Sequence, residues 1–171
     1  GPKGNTKHLV TKQKHGDAIV VVGFMMAQGS NSGVYLQGRY EIQVLDSWGV
    51  KDLGYGDCGG IYRRNGEGEE FKGYPPAVNA SKAPGEWQSY EIHFRAPRFD
   101  ENGTKTANAA FIKVFHNGMQ VHGYTELTGP TVSSLYNDER PEGPLMLQGD
   151  HGPVAYRSIS IKPADFSDTI K

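Results

Sequence analysis

Apolar and polar residues alternate along most of this chain, and runs with helical period are scarce. Ala18 to Ala27 reads Ala-Ile-Val-Val-Val-Gly-Phe-Met-Met-Ala, apolar on both faces, and predicts a central strand. Val34 to Leu45 predicts a strand of a different kind, because successive side chains in a strand point to opposite sides. Leu36, Tyr40, Ile42 and Val44 then share one face, broken only at Gly38. Tyr35, Gln37, Arg39, Glu41 and Gln43 share the other. Gly38 is expected to mark a bulge or the close approach of another segment. Trp87–Ala96, Ala109–His116 and Met119–Tyr124 predict further strands. The last two are joined by Asn117-Gly118, a pair suited to a hairpin turn that needs positive φ at both positions. Pro97–Lys105, with Asp100 and Asn102-Gly103, predicts another turn. Pro144–Gln148 and Val154–Lys162 predict closing strands, and the tail from Pro163 one short helical turn. Many short strands with regular turns predict an all-β sandwich.

Composition agrees with that pattern. The chain has 171 residues, enough for one domain with a real core, and we read 1–171 as that domain. Glycine at 23 residues and proline at 10 favour turns over long helices. The opening Gly1-Pro2 resembles a protease scar or an internal start, so residues 1–8 are expected to be flexible or vector-derived, and 163–171 are expected to form a C-terminal tail. The net charge of −1 has no basic stripe behind it, which sets nucleic acid aside as a partner. No stretch reaches the roughly 20 apolar residues of a membrane-spanning helix. The single cysteine, Cys58, cannot form an internal disulfide.

Three features carry candidate chemistry. The polar row Tyr35, Gln37, Arg39, Glu41, Gln43 is a hydrogen-bonding surface, because amide and guanidinium forks match vicinal hydroxyls and a carboxylate accepts two of them. A solvated sheet face would also be polar, so the row alone leaves both readings open. Asp46 to Glu86 is a long irregular loop, rich in Gly, Pro and aromatics, of the kind that is usually functional in a compact domain. Trp48, Tyr55, Tyr62 and Tyr74 lie in or beside it. Such rings either stack on sugar C–H faces or pin the loop to the body. The third feature is histidine. His116 precedes the hairpin, His122 follows it, and His151 sits in Gln148-Gly149-Asp150-His151-Gly152. A histidine beside an aspartate in a Gly-rich turn can serve as base or metal ligand, although a lone histidine is more often structural. No metal-binding spacing, nucleophile elbow, phosphate loop or dinucleotide fingerprint is present. Cys58 reads as a packed thiol rather than a nucleophile.

The stretch Ser30-Asn31-Ser32-Gly33-Val34-Tyr35-Leu36-Gln37-Gly38-Arg39-Tyr40-Glu41-Ile42-Gln43-Val44-Leu45-Asp46-Ser47 resembles the signature of the bacterial 3-keto-disaccharide hydrolase family. The likeness continues through Gly56–Tyr62, Pro75–Ala80, Pro84–Gln88, Phe94–Asp100, Phe115–Gly118, Gly143–Gln148 and Asp150–Gly152, in order and over nearly the whole chain. It implies a concanavalin-like jelly roll of two antiparallel sheets, similar to family 16 glycoside hydrolases. It also implies bacterial export, to the periplasm or outside the cell, and carbohydrate as the partner. The family usually begins with an earlier Phe-Asp-Gly…Trp segment that this chain does not contain; in a sandwich such a segment would supply a strand and cover part of an edge.

The activity so implied is cleavage of 3-keto-glycosides, by elimination or with net hydrolysis. A keto group at C3 acidifies the C2 hydrogen, so a base at C2, a group for the enolate oxygen and an acid for the leaving oxygen are needed. A divalent metal ion bridging the keto and a neighbouring oxygen would serve the second need. Glu41 and His151 are the candidate catalytic residues, and also the candidate metal ligands. Tyr35, Gln37, Arg39, Gln43, Trp48, Tyr62, His116 and Gln148 are the candidate sugar-binding residues. A retaining glycosidase is a poorer match, because it needs two carboxyl groups about 5–5.5 Å apart and this strand offers Glu41 alone. The competing class is a non-catalytic carbohydrate-binding or interaction module, since jelly rolls host both.

Overall fold

The computed structural model describes residues 6–167, and nearly all of their regular structure is strand. In chain order the strands are β1 (Leu9–His15), β2 (Ala18–Met26), β3 (Asn31–Leu36), β4 (Tyr40–Leu45), β5 (Gln88–Arg95), β6 (Arg98–Phe99), β7 (Lys105–Ala107), β8 (Ala109–His116), β9 (Met119–His122), β10 (Thr125–Leu127), β11 (Gly143–Leu147) and β12 (Val154–Pro163). The smaller sheet has four strands in the order β1-β11-β3-β4. The larger runs β10-β8-β5-β2-β12, with β9 also pairing β8. The paired strands are antiparallel throughout.

The core lies between the two sheets. Val20, Val22 and Phe24 of β2 and Tyr90, Ile92 and Phe94 of β5 meet Val34, Leu36, Tyr40, Ile42 and Val44 of the smaller sheet, all buried. Each such side chain contributes roughly 1.5–3 kcal/mol on burial, which is how the sandwich stands without a disulfide. The architecture is a β-sandwich jelly roll, with β2 central between β5 and β12 as its two-faced apolar run predicts.

One expected strand is really two. Val34–Leu45 is not continuous but folds at Gln37 and Gly38 into the β3/β4 hairpin, with φ of 54° and 66° there. The Arg39 N–H donates to the Leu36 carbonyl at 2.9 Å, closing a two-residue turn. The division into faces survives the turn. Tyr35 pairs with Glu41 and Leu36 with Tyr40, so residues of equal parity stay on one face. Gly38 also meets the close approach expected of it. A Cβ there would lie 3.2 Å from the ring of Tyr136.

The Asn117-Gly118 turn forms as expected, with φ of 52° and 80°. The 46–86 loop is irregular apart from one short 3-10 turn, Glu69–Phe71, and Ile61 bridges both Ile42 and Tyr74. Strand β1 is not among the expected strands, because Leu-Val-Thr-Lys-Gln-Lys-His is largely exposed at a sheet edge and shows little alternation. No helical turn forms over 163–167, and 168–171 lie outside the described residues. Of the lead 1–8, residues 1–5 likewise lie outside them, while Thr6 and His8 hydrogen-bond to Gly149.

Candidate active site on the outer face of the smaller sheet

The face of β3 and β4 turned away from the core carries Asn31, Gly33, Tyr35, Glu41 and Gln43. Neighbouring β11 brings Gln148, whose N–H donates to the Gly33 carbonyl at 2.9 Å. The start of the long loop runs along the free edge of β4, where Gly59 and Gly60 bond to both backbone groups of Gln43 and the Tyr62 N–H donates to the Glu41 carbonyl. The 131–142 segment closes the same edge. Thr131 Oγ1 accepts from the Glu41 N–H at 3.1 Å, and the Val132 N–H donates to the Arg63 carbonyl. Together these elements wall a cavity of about 210 Å³.

Six of the expected residues converge there: Tyr35, Glu41, Gln43, Tyr62, Gln148 and His151. Glu41 is only 3% exposed. Burial raises its pKa to about 8, although the Tyr35 hydroxyl donates to it and opposes the rise. The carboxyl is therefore protonated at neutral pH. Burial, with Glu41 beside it, also drives the Tyr35 hydroxyl far above its ordinary range, so Tyr35 remains a donor. Room for the carboxyl comes from Gly33. A Cβ at that position would overlap Glu41 Oε1 and lie 2.8 Å from Tyr35 Cε2.

His151 stands half-exposed across the cavity. Its Nδ1 is 2.6 Å from Asp150 Oδ1. Nδ1 is engaged by Asp150, which leaves Nε2 as the ring nitrogen available to act as a base. Desolvation would raise the Asp150 pKa, but His151 and, from the other side, His8 at 3.9 Å outweigh it and lower it. His8, within the lead expected to be flexible, thus stands beside the Asp150–His151 pair. Among the described residues no group of three His, Cys, Asp or Glu side chains converges to hold a metal ion.

Four expected residues lie elsewhere. Gln37 sits in the hairpin turn, where its Nε2 donates to the carbonyls of His15 and Pro141. Arg39, 3% exposed, donates to Asp138 and to the Gln37 carbonyl and lines a different cavity. Trp48 is 60% exposed on the turn after β4 and does not line this cavity. His116 is fully buried in the core against Phe24 and Tyr90, with Nε2 2.9 Å from Gln88 Oε1. Burial lowers its pKa to about 4. The reason is parity: on β8, Val114 and His116 face inward. Cys58 is also buried, its thiol 3.0 Å from the Tyr90 hydroxyl, which in turn donates to the Gln43 carbonyl. Burial pushes that thiol up, so it is a packed group beneath the site. Asn31, Arg63, Val132 and Ser133 also line the cavity and were not anticipated. Only Asn31 lies on the alternating face that periodicity could have flagged.

Residues 1–162 match the family model described as a 3-keto-alpha-glucoside-1,2-lyase-like domain. The chain belongs to that family. Among solved structures it is similar to a candidate glycosyl hydrolase from Parabacteroides distasonis, at 30% identity and a TM-score of 0.73, over 92% of this chain and 68% of that one. A second candidate glycosyl hydrolase from that organism matches at 23% identity and TM-score 0.62, over 92% and 83%. The carbohydrate-binding module CBM66 from Bacillus subtilis shares the fold alone, at 9% identity and TM-score 0.53, over 91% and 80%. A search of curated proteins finds no match. The chain thus has a carbohydrate-active, glycosyl-hydrolase-like β-sandwich, and no helix among its described residues is long and apolar enough to cross a membrane.

Proposed function

We propose that this domain cleaves 3-keto-α-glucosides by eliminating the C1 substituent. The observation that carries the reading is a protonated, buried carboxyl, Glu41, facing the same cavity as an aspartate-paired imidazole, His151. An elimination of this kind needs an acid and a base at once. His151 Nε2 takes the C2 proton, and the C–H electron pair moves toward the C3 oxygen as an enolate. The enolate collapses to a C1=C2 double bond, the C1–O bond breaks, and Glu41 gives its proton to the departing oxygen. Arg63, exposed at the cavity rim, is the cation placed to face the enolate. Gln43, Gln148 and Tyr62 orient the ring through its hydroxyls and C–H face. Water adding to the double bond would give net hydrolysis.

Glu41 and His151 fall short of the three protein donors of a catalytic zinc site. Mg²⁺ takes carboxylate oxygens and keeps several waters, and Glu41 could supply one only after losing its proton. An ion so held would polarise the keto oxygen; the steps above rest on the chain's own groups.

The test is turnover of a 3-keto-glucoside, with the parent glucoside as control, each with and without chelator. We expect loss of the keto substrate alone, exchange of its C2 hydrogen in D₂O, and a rate that falls as pH rises through about 8, where Glu41 loses its proton. Glu41→Gln should lower kcat by about 10²–10⁴. A rate that climbs through pH 8 would make Glu41 the base and overturn the assignment. Saturable sugar binding without turnover would instead favour a binding module, a reading the shared fold of CBM66 supports. A periplasmic or extracellular setting is part of the proposal, and cell fractionation tests it.

A further inference from the structure

Three arginines are buried among the described residues: Arg39, Arg64 and Arg95. Arg39 holds Asp138 at 2.6 Å, and Arg95 stands 4.0 Å from Glu126. Arg64 is 5% exposed, and its buried Nε and Nη2 have no hydrogen-bond partner among the described residues. The Tyr74 hydroxyl bonds to this guanidinium, and the charges of Glu70 and Glu139 favour it, but desolvation outweighs all three and lowers its pKa. Glu139 is already engaged by the Tyr40 hydroxyl and by Lys105, and Glu70 is exposed. A buried charge without a compensating partner is among the most costly features a fold can hold.

The geometry of the unpartnered atoms selects a class of ligand. Nε–H and Nη2–H lie on one edge of the planar guanidinium and point the same way. That edge is the fork that grips two oxygens of one oxyanion, and no single carbonyl or hydroxyl fills both of its positions.

Arg64 lines a cavity of about 270 Å³, together with Asn65, Thr128, Thr131, Ser134 and Asn137. No carboxylate is among its lining residues. Asn65 and Asn137 are exposed, and their amides add neutral donors at the rim. Strand-like pairing holds the cation in place: Arg64 bridges Thr131, and its N–H donates to the Phe71 carbonyl at 2.9 Å. The same pairing separates this cavity from the one that holds Glu41. Arg63 and Val132 border the Glu41 cavity, while Arg64 and Thr131, their neighbours in sequence, border this one. Alternation along an extended chain is the reason.

We propose that this cavity binds a small tetrahedral oxyanion, inorganic sulfate or phosphate, on the side-on fork of Arg64. Two oxygens meet the fork, and the remaining oxygens face the rim amides, which a carboxylate would leave unused. The ion supplies the negative charge that the chain itself does not place beside Arg64. This inference stands apart from the proposed elimination and survives its failure.

The experiment is calorimetric titration of the protein with sodium sulfate, sodium phosphate and sodium acetate, each in chloride at matched ionic strength, on wild type, Arg64→Lys and Asn137→Ala. Sulfate also stabilises folded proteins by exclusion from their surfaces, so saturable heat, and not a rise in Tm, is the readout. Wild type should bind sulfate or phosphate saturably, and acetate more weakly. Arg64→Lys keeps the charge but loses the fork, and should bind about tenfold more weakly or worse. Asn137→Ala changes an exposed rim residue and should weaken binding severalfold, so it decides the matter if Arg64→Lys fails to fold. Absence of saturable heat with either ion in wild type would overturn the site, as would unchanged affinity in Arg64→Lys. Acetate binding as tight as sulfate would overturn the tetrahedral assignment.

Discussion

A Gly33→Ala substitution would set a methyl carbon against Glu41 Oε1, 2.9 Å from Glu41 Cδ and 2.8 Å from Tyr35 Cε2. Carbon atoms at rest approach to about 3.5–4.0 Å, so something must move. Gly33 does not have the positive φ that favours glycine, so the substitution acts through space alone. The neighbours are a buried carboxyl and a buried ring, both already in use. Overpacking of this kind costs about 1–3 kcal/mol, or roughly 2–12 °C in Tm for a chain of this size. The carboxyl must swing by on the order of 1 Å, a displacement that can cost about 10²-fold in rate. The assay is thermal unfolding together with kcat/KM on a 3-keto-glucoside. Gly123→Ala serves as control, because the nearest atom to its Cβ would be 3.8 Å away. A Gly33→Ala protein with wild-type Tm and wild-type turnover would refute the claim that Gly33 exists to seat Glu41.

Further outcomes follow from the same groups. Glu41 has a folded pKa of about 8 against an ordinary 4.5. Between those values the unfolded chain ionises it and the folded one does not, so its contribution to stability falls as pH rises across that window. Glu41→Gln should therefore be more stable than wild type at pH 7, by at most roughly 3 kcal/mol, with the gap closing below pH 4.5; urea midpoints at several pH values check this. Tyr35→Phe removes a donor that favours the Glu41 carboxylate, so the descending limb of the pH–rate profile should move to higher pH. For His116 the sign is opposite: its folded pKa of about 4 lies below the ordinary 6.5. Stability should fall as pH drops from 6.5 toward 4, together with contributions from His15 and His122, which burial also lowers. His116→Gln should flatten that slope in pH-dependent urea titrations.

How much of this was legible in the sequence depends on the kind of contact involved. The faces of β3 and β4 were legible, because parity is a local property and the hairpin happened to conserve it. Parity alone puts Tyr35, Glu41 and Gln43 on one face. The turn at Gln37 and Gly38 was not, since the pattern of alternation runs straight through it. Gln37 and Arg39 look like members of the polar row, yet the turn lifts them out of it and hands them to His15, Pro141 and Asp138.

What the amino-acid order determined by itself was the alternation that makes strands, the Asn117-Gly118 turn, the absence of a long apolar helix and the motifs that mark the family. What only tertiary structure decided was which polar groups meet. His116 and His151 look alike as histidines in turn-flanking positions, but one ends an inward-facing strand position and the other opens onto a cavity. Arg63, His8 and Tyr136 carry no local signature at all. Their roles come from long-range pairing: the edge of β4 with 59–62 and 131, residues 6–8 with Gly149, and the 131–142 segment with the hairpin turn. The proton on Glu41 is decided the same way, because burial beneath three separate segments, not the residue type, sets the free energy of its charge.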